Sequence, residues 1–139
     1  FSSIPDRIIC SGPAYHKQLI RWGIPKNRLT IGGAFRISRF IGEYFDRSGS
    51  VFVATSADTE ITKKMMEAVN KAQKEGRKYL VKIHPLYPKK VEESENIAIT
   101  NHTIPEHKGI SAVFYGTGAS GLEGLLAGLP TFRLAYKVV

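Results

Sequence analysis

Three short stretches of this chain combine residue types that can hold a phosphate and steady a leaving group. The first is Gly116-Thr117-Gly118-Ala119-Ser120-Gly121-Leu122-Glu123, which follows the apolar run Ala112–Tyr115. The Thr117 and Ser120 hydroxyls can donate to phosphate oxygens, and Gly116 and Gly118 let the backbone approach a ligand closely. The Glu123 carboxylate can accept from the vicinal diol of a ribose. A helix starting here would add free N–H groups and a partial positive charge. A structural reading stands beside this one, because Ser120 followed by Glu123 has the spacing of a capping box. The stretch lacks the lysine of a P-loop and the full spacing of a dinucleotide fingerprint.

The second stretch is Lys82-Ile83-His84-Pro85. A histidine directly after an apolar run sits at the carboxyl edge of a sheet, and Pro85 biases it toward an extended backbone. Its imidazole can donate to a phosphate and stabilise charge on a leaving group; satisfaction by nearby backbone is the alternative. The third stretch is Thr55-Ser56-Ala57-Asp58-Thr59, where Ser56 and Thr59 can bond a ligand or cap a helix. His102 and His107 lie in a loop with no cysteine nearby, His16 falls on a helix, and no Asp-x-Asp occurs, so no metal site is expected. Interleaved basic and aromatic motifs for nucleic acid are absent.

The elements that must carry these residues follow from pattern. Ile8–Cys10 and Arg28–Ile31 read as short strands, with a helix from Pro13 between them bearing Tyr15, Leu19 and Trp22 on one face. Residues 34–50 lack a clean period, and their polar end, 47–50, reads as a turn. Val51–Thr55 is a strand, followed by a helix capped by Asp58 or Thr59 with Ile61, Met65, Val69 and Ala72 as its buried stripe. Tyr79–Ile83 is a strand, residues 88–95 a short helix, Ile97–Ile99 a strand and residues 101–111 a loop with room for one helical turn. Strand, glycine turn, helix and strand then close the run, with Gly128 and Pro130 stopping the helix. This alternation predicts an α/β fold, a Rossmann-like parallel sheet with helices on both faces and right-handed crossovers. Ligands in such sheets bind outside the carboxyl ends of the strands.

With 139 residues the chain suits one domain of roughly 100–150 residues. We read it as a piece of a longer protein. Its single Cys10, in an apolar run, excludes an internal disulfide and fits a reducing, cytoplasmic setting. No apolar run reaches the ~18–20 residues of a membrane span. The net charge of +8 divides into +5 over residues 1–50 and +3 over the remainder. So even a spread suits a solvated surface, a phosphate-bearing ligand or an anionic membrane face more than nucleic acid.

The order of these stretches carries a resemblance that covers nearly the whole chain. PDRIICSGPAYHKQLIRWGIPKNRLTIGGAFR resembles the segment joining the two halves of GT-B-fold glycosyltransferases. VFVATSADTE resembles the first strand and loop of their second domain. KIHP resembles the His-Pro motif of bacterial surface-polysaccharide transferases, and GTGASGLEGLLAGLP their glycine-hydroxyl-glutamate motif. The resemblance implies the donor-binding half of such an enzyme. Residues 1–46 would be the tail of the first domain, or an added βα unit, and residues 47–139 the nucleotide-sugar-binding domain. It implies His84 at the leaving group, with Thr117, Gly118, Ala119 and Ser120 around the donor phosphate and Glu123 at the ribose; Ser56 and Gly116 join the phosphate-binding candidates on their residue types alone. The usual hydroxyl pair is here Thr117 and Ser120, separated by Gly-Ala, which leaves the nucleotide base open.

Such enzymes work without a metal or other cofactor, and the nucleotide-activated donor is the substrate. The partners implied are a nucleotide-sugar or CDP-polyol donor, a glycan or lipid-linked acceptor, and an N-terminal domain absent from this chain. A peripheral contact with the inner face of an anionic membrane fits the basic excess. A nucleotide-sugar epimerase of the same fold and a non-catalytic basic module for polyanion or RNA are the alternatives.

Overall fold

The computed structural model describes residues 3–33, 35–87 and 90–135, and at 35 and 36 the backbone alone. Two compact units are present, Phe1–Ser38 and Arg39–Val139.

In the first unit, strands β1 (Ile8–Cys10) and β2 (Leu29–Ile31) pair in parallel, and helix α1 (Pro13–Arg21) connects them. Pro13 opens α1, where its missing N–H costs no bond. A short helix α2 (Phe35–Ser38) ends the unit. Cys10 and Leu29 are buried, but no residue of α1 is, and Tyr15 and Trp22 are 63% and 65% exposed. Of the expected apolar face of α1, Leu19 is half-buried while Tyr15 and Trp22 stay exposed. Two strands of three residues offer it too little surface.

The second unit holds a five-stranded parallel sheet in the order β5-β4-β3-β6-β7. Its elements are β3 (Phe45–Ala54), α3 (Thr59–Ala72), β4 (Tyr79–Lys82), β5 (Ile97–Ile99), β6 (Ile110–Tyr115), α4 (Ser120–Leu126) and β7 (Thr131–Arg133). Side chains alternate across a strand. Val51, Val53 and Ala112 point to the α3 face, where Ile61, Met65, Met66 and Val69 cover them. Val113 and Tyr115 point the other way, where α4 lies so close that a Cβ on Gly124 or Gly121 would meet their side chains. Helices thus cover both faces, as the pattern predicts. Between β5 and β6 a loop does a helix's work: its Ile104 is buried and its His107 ring packs against Phe52, 5.8 Å between centroids.

Three local expectations change. Strand β3 begins at Phe45, not Val51, because Phe45 and Ser50 pair with Ile110 through the backbone around an irregularity. Gly49 permits this: a Cβ there would collide with the Gly109 carbonyl. Residues 90–95 are not helical, while 88 and 89 lie outside the described residues. Instead, Ser94 pairs with Ile97 in a tight turn, and the Glu93 carboxylate accepts the Ile99 N–H at 2.9 Å. With Val91 the one apolar side chain between 90 and 96, no helix there could bury a stripe. Finally, the capping box lies at Thr103 and Glu106, where both reciprocal bonds form, and not at Ser120 and Glu123.

Candidate functional site

The chain leaves β3 for α3 on one face and leaves β6 for α4 on the other. Neighbouring loops that part to opposite faces open a crevice at the carboxyl edge, the usual ligand position in such sheets. The loops flanking it are residues 55–58 and 116–119, and the His84 loop follows the next strand, β4.

Each loop is tied to its neighbour by a side chain of the central strand's loop. Thr55 Oγ1 accepts the His84 backbone N–H at 2.8 Å and donates to the Lys82 carbonyl at 3.3 Å. Ser56 Oγ lies 2.7 Å from Thr117 Oγ1 and accepts the Asp58 N–H at 3.1 Å. Thr62, on α3, anchors Ser56 from below: its hydroxyl accepts the Ser56 N–H at 2.9 Å and donates to the Ser56 carbonyl at 2.8 Å. Thr62 is wholly buried, Ser56 is 2% exposed, and Thr117 is half-buried.

His84 is half-buried in a turn closed by the Tyr87 N–H on the His84 carbonyl at 2.9 Å. The Leu86 N–H donates to His84 Nδ1 at 3.2 Å. A neutral ring that accepts at Nδ1 carries its proton at Nε2, so this imidazole presents an N–H donor.

The 116–119 turn depends on two glycines. Gly116 is buried against α3, where a Cβ would come 2.7 Å from Ile61 Cγ2 and 2.9 Å from Met65 Sδ. Gly118 has φ +94°, the left-handed region that other residues resist. Ala119 occupies the cap of α4 with no side-chain cap bond, and Ser120 is the first helical residue, half-buried. Asp58, by contrast, caps α3 with its own carboxylate, taking the N–H groups of Glu60 and Ile61 at 2.8 and 3.0 Å. An anion is thus already seated at that helix start, and Thr59 is simply its first residue. Glu123 is half-buried one turn into α4.

Sequence reasoning singled out Ser56, His84, Thr117 and Ser120 but passed over Thr55, Thr62 and Arg133. A hydroxyl at the last position of a buried strand was the available signal for Thr55, which is 5% exposed. Arg133 ends β7, and its Nε donates to the Gly116 carbonyl at 3.4 Å, bringing a cation to the same turn. The histidine loop sits beyond β5. There the Thr103 bonds and the His102 ring hold the Glu106 carboxyl down at about 2, and burial pushes the His107 imidazole below its ordinary value. Among the described residues no group of three or more His, Cys, Asp and Glu side chains is placed to hold a metal, and no helix is long and apolar enough to cross a membrane.

No protein-family model matches the chain, and no curated protein matches it. Among solved structures it is similar to the Methanocaldococcus jannaschii UDP-GlcNAc 2-epimerase in complex with UDP-GlcNAc and UDP, with a TM-score of 0.59 at 13% identity. The match covers 93% of this chain and 45% of that one, so the chain spans less than half the length of the protein it resembles. At this identity the likeness is one of fold: a Rossmann-like α/β sheet of the kind found in GT-B halves.

Proposed function

We propose that the chain is the donor-binding half of a glycosyltransferase that works on a bacterial surface glycan. The observation carrying this reading is the hydroxyl-lined crevice between the 55–58 and 116–119 loops, with the His84 N–H donor on the adjoining loop. A nucleotide-activated sugar or a CDP-polyol would lie with its phosphate at Thr117, Ser120 and the Gly116–Ala119 backbone, and its ribose at Glu123. In the reaction, an acceptor hydroxyl on a glycan or lipid-linked acceptor attacks the transferred group and its proton passes to a base from the partner domain. The bond to the leaving phosphate breaks, and the nucleotide departs with the electron pair. Hydrogen bonds aimed at that phosphate stabilise the charge as it develops. The proposal includes a metal-free reaction, so EDTA leaves activity unchanged, and a cytoplasmic enzyme whose basic surface holds it at an anionic membrane.

The likeness to an epimerase with UDP-GlcNAc and UDP bound favours a second reading, a nucleotide-sugar epimerase. That reaction needs acid and base carboxylates in the cleft; Asp58, on the 55–58 loop, is engaged as the cap of α3, which leaves Glu123, one turn into α4. Incubating the enzyme, completed by its partner domain, with UDP-GlcNAc separates the two: C2-inverted product supports the epimerase, and transfer to an acceptor supports the transferase.

Titration of the 139-residue chain with CMP, CDP, UDP and GDP, followed by NMR, tests the binding site itself. We expect shifts at residues 116–123 and at His84 with one base, weak affinity, and no turnover. Binding to RNA or heparin with a steep salt dependence, and to none of the nucleotides, would instead mark a polyanion-binding module.

A further inference from the structure

We infer that Ser56 is a positioning residue that fixes the direction of the Thr117 hydroxyl, aiming its proton at a phosphate of the bound ligand. This rests on the nucleotide reading of the crevice and adds to it how that reading reaches an acceptor-only group.

The assignment comes from counting hydrogen-bond capacity. A serine hydroxyl has one proton and two lone pairs. The Asp58 N–H occupies one lone pair of Ser56 at 3.1 Å. Ser56 is 2% exposed, so its proton has no water to bond, and Thr117 Oγ1 at 2.7 Å is its acceptor. The reverse direction would strand the Ser56 proton in the interior, and buried donors are seldom left so. Thr117 therefore accepts from Ser56, and its own proton is turned away from Ser56. Half-buried at the crevice mouth, Thr117 presents that proton to an incoming group.

Two further bonds make the direction rigid. Thr62 Oγ1 grips the Ser56 N–H and carbonyl together, so Ser56 cannot swing without moving α3. A hydroxyl that already accepts one hydrogen bond is polarised into a stronger donor. Such a donor suits a phosphate oxygen, which only accepts, and discriminates little among bases or sugars.

Paired probes test this on the 139-residue chain: UDP against uridine and CMP against cytidine, with affinities from NMR or calorimetric titration. Ser56→Ala should weaken the nucleotide about five-fold and leave the nucleoside unchanged, the size of one hydrogen bond. In a Thr117→Val background the same change should cost the nucleotide nothing further, because the effect passes through Thr117. Equal losses for nucleotide and nucleoside, or an undiminished loss in that background, would overturn the proposal. Should Ser56→Ala fail to fold, Thr117→Val alone must show the nucleotide-selective loss, and its absence overturns the proposal equally.

A ligand-free measurement separates this failure from failure of the binding reading. In the free chain the Ser56 hydroxyl proton should exchange slowly with water and the Thr117 proton rapidly. The opposite pattern refutes the assigned direction. The expected pattern with neither nucleotide bound means that the nucleotide reading itself has failed, and phosphate recognition fails with it.

Discussion

Thr55 Oγ1 accepts the backbone N–H of His84 at 2.8 Å, across 29 residues of sequence. One residue later Ser56 reaches the opposite way, to Thr117. Two consecutive hydroxyls at the end of the central strand thus hold the loops on both sides of it, and each side makes a different prediction.

Thr55→Val keeps the shape of the side chain and removes the acceptor. The part-buried His84 N–H is then unpaired, at a cost of about 1–3 kcal/mol. Urea denaturation should show that loss, and hydrogen exchange at His84 should accelerate. Thr55→Ser should restore both; a valine variant as stable as the parent would mean the bond contributes nothing.

Gly116→Ala places a methyl within 2.7–2.9 Å of Ile61 and Met65 at the start of α3. Met65 is fully buried and cannot withdraw freely. Overpacking of this kind costs about 1–3 kcal/mol, and a thermal melt should fall accordingly. An unchanged melting temperature would show that α3 can retreat from β6.

Ser120→Ala and Asp58→Ala should part company. Asp58 caps α3 through two N–H groups, so its loss costs about 1 kcal/mol. Ser120 makes no cap bond in α4, so its removal should stay within about 0.5 kcal/mol. A loss of nucleotide affinity in Ser120→Ala with stability intact then reports on the ligand. A clear drop in stability would mean that the serine supports the turn.

Acid should loosen the 101–109 loop before the sheet. The Glu106 carboxyl titrates at about 2 in the folded chain against an ordinary 4.5, its largest cause being the Thr103 hydroxyl bond. A depressed folded value means the stabilisation is complete above 4.5 and disappears as the pH falls through about 2. His107, lowered by burial, acts in the same direction as the pH falls below its ordinary 6.5. Protection of the Thr103 amide, its exchange divided by the intrinsic rate at each pH, should fall over this window. Protection that is unchanged down to pH 2 would contradict the bond.

Much of the central architecture is legible in residue types. Ile61, Met65 and Val69 repeat at helical spacing and do cover the sheet, and the apolar runs at 51–54 and 112–115 are strands. What escaped was carried by the backbone. Residues 45–50 join β3 through pairing with Ile110, while the polar side chains at 47–50 read as a turn. Ser120 and Glu123 have capping-box spacing, but the turn places Ala119 at the cap, one residue earlier than that spacing assumes. Thr103 and Glu106 have the same spacing and do form the box. A four-residue pattern cannot say which of two candidates stands where a helix begins. Thr55 was missed because a hydroxyl in a β-branched run looks like strand propensity, and its partner is distant in the chain.

The crevice at the β3–β6 divide arises from strand order alone, with no insertion required to make it. Under the proposed function, what a ligand would meet there comes from the two turns flanking it, the His84 loop and the first turn of α4, while the unit's cohesion resides chiefly in the α3 stripe and the apolar strands beneath. Recognition and cohesion are therefore separately heritable. On that reading the remaining positions of the two turns can vary and alter what is recognised, provided that Gly116 and the two hydroxyls at 55 and 56, which hold the loops in place, are kept.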